Sequence, residues 1–114
     1  MWIDLAGHRL EFSECREAVG GGPEACPLSI DGNLIERWRF DPSPLEHEGS
    51  IVIPVRKIRL LASGYALARI DPVARKLSVI SKVYGYMRLL RLDGDTVVFA
   101  KTTYDTEEGR IALR

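Results

Sequence analysis

The chain has 114 residues, with 16 Lys+Arg against 16 Asp+Glu, two His, two Cys and 46% hydrophobic content. Such a composition excludes a disordered, collagenous or tandem-domain protein, and a single domain of this length buries roughly two-thirds of its unfolded surface, enough for one core. The formal charge of zero is unevenly divided: residues 1–49 hold ten acids and four bases, a net of −6, and residues 50–114 hold twelve bases and six acids, a net of +6.

Short apolar runs separated by turn residues about every eight to twelve positions predict an all-β, mainly antiparallel domain over 1–114, a meander curling into a small barrel or sandwich. Met1-Trp2-Ile3-Asp4-Leu5 lacks a basic leader, and no apolar run is long enough to span a membrane. The expectation is a cytoplasmic protein without membrane contact. Trp2–Leu5 and Arg9–Phe12 flank the first hairpin turn, Ala6-Gly7-His8. Ser13 is placed to cap a short helix over residues 14–19, with Gly20 at its end. Cys15 and Cys26 flank Gly20-Gly21-Gly22-Pro23. Their spacing allows a disulfide, but a reducing cytosol predicts two free thiols. The triple glycine lacks the Lys-Ser/Thr ending of a phosphate loop and reads as a connection.

Leu28–Ile30 and Leu34–Phe40 flank Asp31-Gly32-Asn33, where Asp-Gly suits a type I′ turn. The Pro-containing stretch Asp41–Gly49 reads as a loop between the acidic and basic parts. Ser50–Ile53 opens a β-branched run, and Val55–Ala62 is read as strand although its apolar spacing also fits a helix. Tyr65–Ile70 and Leu77–Tyr84 pair across an Asx-type turn begun by Asp71-Pro72. Tyr86–Leu92 and Thr96–Tyr104 flank Asp93-Gly94-Asp95, and Arg110–Leu113 is a last short strand.

Chemistry is sparsely signalled. Cys15, Cys26, His8 and His47 show no metal-ligand spacing, so no metal or cofactor is expected unless the fold assembles distant ligands. Cysteine-based catalysis lacks an adjacent activating base. Glu36 alternates with Leu34, Trp38 and Phe40, which on a strand aims its carboxylate inward. There it is a candidate general acid or base, or a partner for Arg69 or Arg88. Trp38 stands between Arg37 and Arg39, the mixture found on single-strand nucleic-acid platforms. On a strand, however, the two arginines face away from the indole, which reads against stacking. Bases of the second half, such as Arg56, Lys57 and Arg88, occupy both strand parities and spell out no nucleic-acid module.

The reading that follows is a non-enzymatic module that binds another protein through a charged face, such as a bacterial toxin-neutralising immunity protein or a small adaptor. Glu14, Glu17, Glu24, Glu46 and Glu48 form the expected contact surface. The alternative is a small-molecule-binding or catalytic β-barrel whose cavity is anchored by Glu36, Tyr65, Tyr84 or Tyr86. A third reading is a homodimer joined by opposite charges or by edge strands such as Arg110–Leu113.

Overall fold

The computed structural model describes residues 1–17, 24–35, 37–58, 63–102 and 107–113. The domain is all-β, and every strand pair in it is antiparallel. In chain order, β1 (Trp2–Leu5) and β2 (His8–Phe12) form a hairpin, followed by the two-residue strands β3 (Arg16–Glu17) and β4 (Glu24–Ala25). Next come β5 (Leu28–Ile30), β6 (Asn33–Leu34), β7 (Leu45–His47), β8 (Ser50–Ile58), β9 (Ser63–Asp71) and β10 (Lys76–Val79). The last three strands are β11 (Arg88–Asp93), β12 (Thr96–Ala100) and β13 (Glu108–Ala112). They assemble into open sheets ordered β1-β2-β5-β6, β10-β9-β8-β7 and β11-β12-β13, plus the ribbon β3-β4. These open sheets form a sandwich-like stack; the described residues do not close a barrel.

The stack is organised by the long hairpin β8–β9. Alternation sends Ile51, Ile53 and Val55, with Ala66, Ala68 and Ile70, into one core shared with Leu10, Phe12, Leu28 and Ile30. The opposite parity sends Val52, Tyr65 and Leu67 into a second core with Met87, Leu89, Val97 and Phe99. A strand buried on both faces needs a continuous apolar run, and Ile51-Val52-Ile53-Pro54-Val55 is one. Pro54 fits because the partner segment only needs its carbonyl, which accepts the Asp41 N–H at 3.0 Å. Phe99 lies across Gly109, its register partner, so closely that a Cβ there would stand 2.3 Å from the ring. Only glycine leaves room for that ring.

Most local turn chemistry agrees with the sequence. Asp31 and Gly32 have φ of 51° and 83° and form the two-residue loop between Ile30 and Asn33, as a type I′ turn requires. Asp71 Oδ1 accepts the N–H groups of Val73 and Ala74, closing the expected Asx turn. The strand expected over Leu77–Tyr84 is shorter: regular pairing stops at Val79, and Tyr84 returns to the sheet through a bridge to Tyr65.

Four expectations need correction, the first being the Asp41–Gly49 loop, which holds strand β7 (Leu45–His47) paired with β8. Arg16–Glu17 pairs with Glu24–Ala25 instead of continuing a helix over 14–19; Ala18–Gly20 and the rest of the glycine turn lie outside the described residues. Cys15 and Cys26 are joined in a disulfide, not free. The cause is register: with Glu17 opposite Glu24 and Arg16 opposite Ala25, the next facing pair is Cys15 and Cys26. Lastly, Leu34–Phe40 is not one strand. β6 ends at Leu34, and Arg37 takes a left-handed φ of 70°, which breaks the alternation. The second half of the Val55–Ala62 strand, Arg59–Ala62, and the Thr103–Tyr104 end of another fall outside the described residues.

Candidate functional site

The break at Arg37 builds the site. An open pocket of about 240 Å³ is lined by Pro27, Leu34, Ile35, Arg37, Trp38 and Arg39. Its wall is pinned at both ends by main-chain hydrogen bonds. The Ile35 N–H donates to the Leu28 carbonyl at 2.9 Å, and the Arg39 carbonyl accepts the Arg56 N–H at 2.8 Å. Between β4 and β8, Phe40 bridges Cys26 on one side and Val55 on the other, so the disulfide, the wall and the central hairpin form one connected frame. Pro27 joins the lining directly after Cys26.

The lining combines an apolar base with cations at its rim. Ile35 is buried and Trp38 packs against the first core. Leu34 is 56% exposed, a large apolar side chain left at the mouth. Arg37 and Arg39 are exposed, and Lys57 Nζ stands 5.1 Å from the Trp38 ring centroid. Among the described residues no carboxylate lies within ion-pair distance of either arginine. A left-handed backbone at a non-glycine residue costs about 1–2 kcal/mol, and such positions cluster where a side chain must be aimed. Here it turns Arg37 onto the surface shared with Trp38 and Arg39, a surface that strict alternation denied them.

The other predicted site residues sit on several elements. Glu46 and Glu48 are exposed on the β7–β8 hairpin, whereas Glu14 is exposed beside the disulfide and Glu17 faces Glu24 in backbone register across β3–β4. Glu36 lies outside the described residues. Of its expected partners, Arg69 reaches the Leu113 carbonyl and Arg88 is exposed. Tyr65 and Tyr84 meet at the backbone bridge, and the Tyr84 ring stacks edge-on against Phe99 at 4.9 Å. Tyr86 is half-buried nearby in sequence, and none of the three tyrosines lines the pocket. Burial of Tyr65, reinforced by the negative charge of Asp41, pushes its phenol up to about 12.

A further cluster had no local signal in the sequence. The His47 ring, 6% exposed, meets Asp95 with Nε2 to Oδ1 at 2.8 Å, and Glu48 completes a group whose ligand atoms lie within 4.8 Å of one another. Forty-eight positions separate the first pair. Comparison with protein-family models, curated proteins and solved structures finds no match.

Proposed function

We propose that the protein is a binding module without chemistry of its own, and that it recognises another protein through an acidic segment carrying an apolar side chain. The observation that carries this reading is the convergence of Arg37, Trp38 and Arg39 on one pocket floored by Ile35 and Pro27. The apolar base takes the side chain, and the guanidinium groups take flanking carboxylates with bidentate geometry. Base stacking fits less well, because Lys57 already stands over the indole and an incoming base must displace it from that face. A purely acidic contact surface has weaker support: Glu17 and Glu24 lie on the β3–β4 ribbon and Glu14 just before it, whereas Glu46 and Glu48 lie on the β7–β8 hairpin of another sheet. The Cys15–Cys26 bond favours an oxidising place of work over the cytoplasm.

The test is fluorescence anisotropy with a labelled peptide that alternates Glu with Phe or Leu. Expected are saturable binding that weakens as salt rises, and a loss of tenfold or more in an Arg37→Glu/Arg39→Glu double variant. Arg37→Gly keeps the backbone conformation and removes the guanidinium, so it separates binding from folding. The reading is abandoned if a Lys-for-Glu control peptide binds equally well, if both arginine variants retain full affinity, or if a single-stranded oligonucleotide binds more tightly than the peptide.

A further inference from the structure

We infer that His47, Glu48 and Asp95 form a binding site for a borderline first-row divalent cation of the Zn²⁺ type, at the meeting point of two hairpin tips. Glu48 and Gly49 make the tip between β7 and β8, and Gly94 and Asp95 make the tip between β11 and β12. The tips belong to different sheets, and the three side chains are brought together only by the packing of those sheets. His47 is buried at the root of its tip with Nε2 aimed into the group, and the carboxylates of Glu48 and Asp95 stand on exposed residues. The Asp95 main chain is held by its carbonyl, which accepts the Leu113 N–H at 2.7 Å.

The donor set selects the cation. One imidazole nitrogen with two carboxylates suits zinc and its neighbours, whereas Ca²⁺ and Mg²⁺ prefer oxygen donors alone. Bonds of about 2.0–2.1 Å in a tetrahedral shell set donors about 3.3 Å apart. The His47–Asp95 pair at 2.8 Å therefore opens by about half an ångström to admit the ion. Glu48 offers its carboxylate within the same 4.8 Å spread. Nε2 supplies its lone pair with the ring proton on Nδ1, and the fourth position is left for water. A bound ion ties the two hairpin tips together, replacing one hydrogen bond with three coordinate bonds.

The experiment uses the untagged, disulfide-intact chain, so that neither an affinity tag nor a thiol supplies ligands. Calorimetric titration with ZnCl₂ is expected to show one ion per chain, and saturating Zn²⁺ to raise Tm by a few degrees while CaCl₂ does not. Glu48→Gln, at an exposed position, is expected to weaken binding by about tenfold or more, and His47→Gln to abolish it. His8 pairs with Asp31 at 2.5 Å on the other side of the chain order and is the rival site, so His8→Gln must leave the titration unchanged. The inference is overturned by the absence of heat and of any Tm shift, by wild-type affinity in Glu48→Gln, or by loss of binding in His8→Gln.

Discussion

Tyr65 shows how one buried polar group registers its surroundings. Its ring sits in the second core at 2% exposure, and burial together with the Asp41 charge holds the phenol neutral up to about 12, above its ordinary value of 10. Because the folded state binds this proton more tightly than the unfolded state, the contribution to stability is complete below pH 10 and is lost between pH 10 and 12. Thermal melts across that window should therefore fall more steeply for the wild type than for Tyr65→Phe, and tyrosinate absorbance should show Tyr65 ionising with unfolding. Equal slopes would assign the alkaline loss to other groups. Arg37 makes the complementary point at the same scale. Its left-handed backbone is invisible in the local composition, since arginine has no preference for that region, and a single φ of 70° decides which residues share the pocket.

Among the elements, the β3–β4 ribbon has only two residues on each side and little apolar surface of its own. The Cys15–Cys26 bond beside it closes a loop with a sequence separation of 11 and is expected to hold it in place. On the loop-entropy model such a link contributes about 3 kcal/mol. Urea unfolding of the same chain, oxidised against dithiothreitol-reduced, should show a loss of about that size. A difference below about 0.5 kcal/mol would mean that the ribbon register holds without the bond. This element also marks how far the sequence could be read. Asp31-Gly32 and Asp71 carry their turn chemistry within two or three positions, so both were legible. The Cys15–Cys26 pairing depends on a register set across a turn, and redox context argued against it. Trp38 packs on the core with exposed arginines beside it, and the pocket they share required knowing that alternation fails at Arg37. His47 and Asp95 meet only because two sheets pack, which no spacing rule can express.

For the whole molecule, the division of charge at residue 49 takes on a structural meaning. The first sheet, from the acidic part, packs on one face of β8–β9, and β11–β12 from the basic part packs on the other. Both cores therefore share a wall, and neither can empty without exposing it. Unfolding is expected as one cooperative transition. Amide exchange should show β8 and β9 protected to the global unfolding free energy, with β3–β4 opening first. Two resolved transitions, or protection in β8–β9 below that of the edge strand β13, would separate the cores. The same shared wall governs how the protein can be instrumented. Every position from Ile51 to Val55 and from Tyr65 to Ala68 is buried, so a spin label or crosslinker introduced there reports on a damaged fold. Reporters belong one layer out, on the exposed positions of β1 or β10, where they can follow the molecule without becoming part of its interior.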